Sequence, residues 1–340
     1  MRTTHGTAAW IGLLLAPVVL QGCNKDCCGP RDHLSLFVGV RVDSATFRSR
    51  GEFVIQLVPT DQTGRPLVGE PWTVSGAVNS PVAGALSLTA LTVDLADTLP
   101  VTAAIDIDDS HSMTTHDPNR VRATGAQLFW QTVLGARPRN QVGLLDFGGK
   151  LASPGFLKTR LLQGHTTDPA QLDAQLSAIQ PQPNGGTPLY RSGLEVIRWA
   201  DTAVAAARSQ RYLVMITDGF PSPDTLFYRD SLFAAAARSG VRIFAVGIGP
   251  ASDQGAQTVD SAVAVVRDLA AQTGGIYAGV TDAAQLAPVL RALASEPTGD
   301  RLLATFSLGA PPARRALVAG TVTLRSPLGQ ATAGWAFQAP

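Results

Sequence analysis

Four apolar runs, Val101 to Ile107, Val142 to Leu145, Tyr212 to Ile216 and Val241 to Ile248, most constrain what this chain can fold into. They lack the polar alternation of a strand with one wet face, as expected of parallel strands buried on both sides. Between them lie segments of helical period: Val121, Gly125, Leu128 and Thr132; Tyr190, Leu194 and Ile197; and Val263, Val266 and Leu269, with Gly274-Gly275 as a stop. Strand and helix in alternation predict an α/β, doubly wound, Rossmann-like sheet, mostly parallel. Ligands of such a sheet sit outside the carboxyl ends of its strands.

The flanks read differently. His33 to about Leu99 shows short alternating strands broken by turns such as Asp61-Gln-Thr-Gly-Arg-Pro, with no helical period. The same habit returns in Arg301 to Phe306, Ala316 to Leu324 and Ala331 to Phe337. The expected organisation is a signal peptide over 1–22, a tether over 23–32, a β-rich segment over 33–99, an α/β domain over 100–295 and a second β-rich segment over 301–340. The last of these is placed to complete a sandwich with 33–99.

Residues 1–23 combine Arg2, an apolar run from Ala8 to Leu20, and Gln21-Gly22-Cys23. That is the three-part design of a secretory signal, with an apolar run too short to span a bilayer comfortably. Its end, Leu20-Gln21-Gly22-Cys23, resembles the bacterial lipobox, although Gln21 departs from the usual small or branched residue. The resemblance implies acylation of Cys23, a lipid anchor and a place in the bacterial cell envelope. Asn24 stands where an inner-membrane retention aspartate would be, which favours the outer membrane. Cys27 and Cys28 are the only other cysteines, so no disulfide scaffold or cysteine zinc site can be built in the fold. Without Arg2 the charge is 26 basic against 26 acidic, from 27 and 26, which gives no footprint for nucleic acid.

The chemistry is concentrated after the first buried strand, in Asp108-Asp109-Ser110-His111-Ser112-Met113. Alternate residues project to one side, so Asp108, Ser110 and Ser112 can offer one carboxylate and two hydroxyls to a common point. Such hard oxygen donors suit Mg²⁺. Two later pieces join them: Gly185-Gly186-Thr187-Pro188, which opens a helix, and Thr217-Asp218-Gly219, which ends a strand.

With these pieces the sequence resembles the von Willebrand factor A (vWA) family and its metal ion-dependent adhesion site, over about Pro100 to Ala294. All five metal positions are matched in order by Asp108, Ser110, Ser112, Thr187 and Asp218. The likeness extends to Phe147, to Gly240 through Gly249, and to Leu269 through Gly275. It implies that Ser110 and Ser112 bind Mg²⁺, or Mn²⁺ or Ca²⁺, through their hydroxyls, with Asp108, Thr187 and Asp218 acting directly or through water. It also implies a protein partner that offers an acidic side chain to the ion.

Several neighbours need a reading of their own. Asp106 stands on the strand face of Asp108, where the family places an apolar residue, so it is expected to pair nearby, to be protonated, to support the ion from behind, or to lie at a partly solvated strand end. Asp109 is expected to point away as a solvated charge. His111, His116 and Asp117 are read as solvated loop residues and not as a zinc site. Gly148-Gly149-Lys150 reads as a turn, and Pro288 is expected to kink or shorten the closing helix.

No catalytic motif is found, and the chain is read as a membrane-anchored binding protein for adhesion or envelope assembly. A metal-assisted hydrolase and a structural module with a silent metal site are the alternatives. The anchor is tested by Cys23→Ser, which should leave an unprocessed chain or one that no longer enters the detergent phase; unchanged partitioning would rule out lipidation.

Overall fold

The computed structural model describes residues 34–340 apart from 68, 95–97, 149–151, 204–207, 220, 223–226, 253–261 and 282. The signal, the lipobox with Cys23, and Cys27 and Cys28 lie outside the described residues. Elements follow in the order β1 (Ser35–Arg41), α1 (Ser44–Arg50), β2 (Glu52–Thr60), β3 (Thr73–Ser80), β4 (Gly84–Ala85), β5 (Ser87–Asp94) and β6 (Val101–Asp108). Then come α2 (Met113–His116), α3 (Val121–Ala136), β7 (Gln141–Phe147), β8 (Thr159–Thr166), α4 (Pro169–Asp173), α5 (Leu189–Ala203) and β9 (Gln210–Thr217). The chain continues through α6 (Arg229–Ser239), β10 (Val241–Ile248), α7 (Ala262–Thr273), β11 (Ile276–Val280), α8 (Ala283–Ser295), β12 (Arg301–Ser307), β13 (Leu317–Ser326) and β14 (Gly329–Gln338). Among the described residues no helix is long and apolar enough to cross a membrane.

Ten strands form one sheet in the order β5-β12-β2-β1-β11-β10-β9-β6-β7-β8. Its centre is the expected parallel set, β11-β10-β9-β6-β7, with helices on both faces. Strand β6 shows why: Val101, Ala103, Ile105 and Ile107 pack with Phe129, Trp130 and Val133 of α3 and Leu286, Leu290 and Leu293 of α8. Ala104, one residue out of step, packs in a second core with Leu189, Leu194 and Ile197 of α5 and Val266 of α7.

The sheet as a whole is mixed and not mostly parallel. The junctions β7–β8, β11–β1, β1–β2, β2–β12 and β12–β5 are antiparallel. The reason is that strands from both β-rich flanks extend the central sheet beyond β11, and a hairpin strand, β8, closes the other edge. The join at β11 is close: Gly39 of β1 pairs with Ile276, and a Cβ on Gly39 would lie 2.4 Å from the Gly275 carbonyl oxygen.

A second sheet, β14-β13-β3-β4, lies over the added strands. The core between them holds Val38, Val40, Ile55, Leu57, Ala304, Val322 and Leu324, around an aromatic cluster. The Phe53 ring lies 5.0 Å from Trp335, 5.2 Å from Phe337 and 6.3 Å from Phe306, and Phe47 meets Phe337 edge-on at 5.4 Å.

Two local expectations are corrected. The stretch from His33 to Leu99 does contain a helix, α1, capped by the Asp43 carboxylate on the Thr46 N–H at 2.8 Å. It is only seven residues long and buries one side chain, Phe47, too little for a visible period. Helix α8 runs through Pro288, so of the expected kink or shortening the second is not met. Phe53→Ala should cost about 3–5 kcal/mol in urea denaturation, because it opens a cavity at the meeting of four aromatic rings; a loss below about 1 kcal/mol would mean that this core is loosely packed.

Candidate metal-ion site at the carboxyl ends of the strands

Strand β6 ends on Asp108, and the next residues turn back over the strand ends. The Asp109 N–H donates to the Phe147 carbonyl at 2.6 Å and the Gln182 N–H donates to the Asp109 carbonyl at 2.8 Å. The His111 N–H reaches the Gly185 carbonyl at 3.1 Å. Three loops therefore lie against one another, close enough that a Cβ on Gly148, at φ 143°, would sit 2.3 Å from the Asp109 carbonyl carbon. Met113, fully buried, fixes the far end of the first loop.

Four of the five sequence-expected ligands are joined by hydrogen bonds. Asp108 Oδ1 accepts from the Ser110 N–H at 2.8 Å, and Asp108 Oδ2 accepts from the Thr217 hydroxyl at 2.7 Å. The hydroxyl oxygens of Ser110 and Ser112 are 3.1 Å apart, and Ser112 donates to Asp218 Oδ1 at 3.0 Å. Thr187 is brought alongside through its backbone: its N–H donates to Ser222 Oγ at 3.0 Å and its carbonyl accepts from the Ser222 N–H at 2.8 Å. No hydrogen bond joins the Thr187 hydroxyl to the other four residues.

Burial, helped by the nearby Asp218 charge, pushes the Asp108 carboxyl up to about 7, against the pull of its donors Ser110 and Thr217. The hydroxyls of Ser110 and Ser112 and the buried Asp218 carboxylate form one hydrogen-bonded row of hard oxygen donors, with the buried Asp108 carboxylate holding the Ser110 backbone. Oxygens on adjacent corners of an octahedron with metal–oxygen bonds of about 2.1 Å are about 3 Å apart. The spacings along Ser110, Ser112 and Asp218 have that length.

His116 corrects the sequence reading. It is not a free loop histidine: its Nδ1 lies 2.6 Å from Asp218 Oδ2 and its side chain is 31% exposed. With Asp218 ionised, Nδ1 is the donor, and the ring leaves Oδ1 to the hydroxyls. Its offset of four residues from Ser112, one helical turn, is the signal that could have found it. His111 is exposed as expected.

Asp109 corrects it again. The carboxylate is fully buried, with Oδ1 accepting from Arg122 Nη2 at 2.7 Å and Oδ2 from the Gln180 N–H at 2.8 Å. Arg122, also buried, donates through Nη1 to Asp117 Oδ2 at 2.8 Å, and Asp117 accepts the Val121 and Arg122 N–H groups at the start of α3. One guanidinium thus ties the loop of Ser110 and Ser112 to α3 and, through Asp109, to the segment before Thr187. Asp106 is buried behind Asp108; Oδ2 accepts from the Ser192 hydroxyl at 2.6 Å and Oδ1 has no partner. Burial, with Asp146, Asp108 and Glu195 nearby, pushes Asp106 well above the usual carboxylate range and favours the neutral acid.

Residues 104–220 match the family model described as the von Willebrand factor type A domain. This stretch of the chain is vWA-like. The vWA-like α/β sheet is thus supported from sequence and from topology together. Three solved structures are similar to the chain. The SpRpn10 VWA domain is 17% identical, with TM-score 0.40, over 57% of this chain and 94% of that one. An aerotolerance-related membrane protein from Bacteroides fragilis NCTC 9343, carrying multiple mutations to serines, is 18% identical, with TM-score 0.40, over 58% and 99%. A von Willebrand factor type A protein from Catenulispora acidiphila is 12% identical, with TM-score 0.44, over 90% and 74%. No curated protein matches the chain.

Arg122→Met should destabilise the protein by about 3–5 kcal/mol in urea denaturation, because it leaves Asp109 and Asp117 buried without their cation. Adding Asp109→Asn should recover part of the loss; strict additivity of the two changes would mean that the pair does not couple.

Proposed function

We propose that the chain is an exported, lipid-anchored binding module that takes a protein partner through a divalent cation held at the vWA-like site. The observation that carries this reading is the row of oxygens from Ser110 through Ser112 to Asp218, spaced like an edge of an octahedral shell. Ser110, Ser112 and Asp218 would hold the ion, with Asp108 and Thr187 behind or beside it. Mg²⁺ fits this hard oxygen set, and Mn²⁺ or Ca²⁺ would be accepted on the same chemistry. A bound ion would supply positive charge to an incoming carboxylate of the partner.

The residues around the site suit that role. Thr217 and the Ser110 N–H occupy both oxygens of Asp108, which fixes the turn that carries the two serines. His116 orients Asp218 so that one carboxylate oxygen faces the hydroxyls. Ser110 is buried while Ser112 is half-buried, so the cluster is reached from one side only. Partner choice would then rest on the loop 220–230 and on the end of the helix-rich segment 166–179, whose start, Thr166, pairs with Val142 at the far end of the sheet, since a cation recognises only a carboxylate. Acylation of Cys23 would place the module at the bacterial cell envelope, for adhesion or assembly there. The site is read as a binding site and not as a catalytic one.

Thermal denaturation in the presence of Mg²⁺ or Mn²⁺ tests the reading. Wild type should gain about 2.7 kcal/mol when the ion is at a hundred times its dissociation constant, and Ser110→Ala/Ser112→Ala should gain nothing. Equal shifts in both proteins would move the ion elsewhere, and no shift in either would leave the site structural.

A further inference from the structure

At the opposite end of the sheet, where the parallel strands begin, lies an open cavity of about 570 Å³. Its charged wall is built across the junction between the central sheet and the added strands. Arg242 comes from the start of β10, Arg41 from the end of β1 and Arg301 from the start of β12. The buried carboxylate of Glu296 serves two of the three: its Oε1 accepts from Arg242 Nη1 at 2.8 Å and from Arg301 Nη1 at 3.1 Å.

Arg41 is left over. Its Nη2 donates to Gln56 Oε1 at 2.6 Å, a neutral acceptor, and its Nε is buried without a hydrogen-bond partner. Among the described residues no carboxylate lies within ion-pair distance of it. The other acids on the wall are engaged: Asp43 caps α1 and Asp94 lies 3.5 Å from Arg301 Nε, itself without a hydrogen bond. Burial together with the charges of Arg242 and then Arg301 pushes Arg41 below the usual guanidinium value, against the pull of Glu296 and Asp94. A partly buried guanidinium beside two others, without its own anion, is an arrangement that an external anion would relieve.

We infer that this cavity is a binding site for a small molecule bearing a phosphate or carboxylate group, with the Arg41 guanidinium as its central cation. Guanidinium groups match both oxyanions with charge-assisted hydrogen bonds. The cavity is larger than a single inorganic ion needs, which leaves room for the body of the ligand against Gln210 and the wall carboxylates. This site is independent of the metal-ion reading and shares no residue with it.

The test is calorimetric titration and thermal shift of the full-length protein with inorganic phosphate and with succinate, each against sodium chloride at matched ionic strength. At least one of the two should bind, and which one does assigns the oxyanion. Arg41→Gln should weaken that binding about tenfold or more, since it removes a charge-assisted donor. Arg41→Lys, which keeps the charge but not the planar guanidinium, should fall between. Ser110→Ala/Ser112→Ala should bind as wild type does, which separates this site from the other. No binding of either anion above the chloride control, or equal binding by wild type and both Arg41 variants, would overturn the proposal.

Discussion

The antiparallel join of β1 to β11 is the constraint from which the rest of the architecture follows. A vWA-like sheet that stopped at β11 would present an open edge of backbone donors and acceptors, a template for unwanted pairing. Here β1 takes that edge with Val38 opposite Tyr277 and Gly39 opposite Ile276, and β2, β12 and β5 follow in turn. The join is reinforced from within by Glu296, which accepts from Gln56 of β2, Arg242 of β10 and Arg301 of β12. A buried carboxylate needs such company, and gathering it draws strands from both halves of the molecule to one point. The arginine-lined cavity is a by-product of that crowding: Arg242 and Arg301 share Glu296, while Arg41 beside them makes no ion pair of its own among the described residues.

At the other end of the strands a different buried ion group does comparable work. Arg122 holds Asp109 and Asp117 at once, so the turn bearing Ser110 and Ser112 is fixed to α3 and to the segment that leads to Thr187. The oxygens of Ser110 and Ser112 are therefore positioned by buried charges that lie behind their turn. Both ends of the sheet follow one rule, in which a buried charge is shared by several elements.

Much of this was legible in the sequence, for identifiable reasons. The central strands announced themselves because burial on both faces leaves no polar alternation, and α3, α5 and α7 because each covers one face of the sheet with a helical period. The oxygen residues came from two signals together, the alternation of Asp108, Ser110 and Ser112 as they leave a strand and the family likeness that adds Thr187 and Asp218; the structure joins four of the five by hydrogen bonds. What stayed hidden depends on partners distant in sequence. Asp109 looks like a loop charge until Arg122 is beside it, and His116 like a spare histidine until Asp218 arrives from β9. The mixed character of the sheet was hidden for the same reason. The apolar runs reveal which strands are buried, but they do not say that the flanks would extend the same ladder with reversed direction. Helix α1 went unseen because seven residues with one buried side chain carry no period, although Asp43 and Gly51 mark its two ends.

The pairing of β2 with β12 also sets an order of events as the chain folds. Gln56 and Glu296, which meet across this region, are 240 residues apart. Contacts of such separation close late, after the local α/β units have formed. Until the final strands arrive, β2 has only β1 beside it, and the aromatic faces of Phe53 and Phe47 lack Phe306, Trp335 and Phe337. The unfinished molecule thus carries a sticky strand edge and bare aromatic surface that the finished one conceals. In this layout β12, β13 and β14 are the elements that cover that edge and those rings.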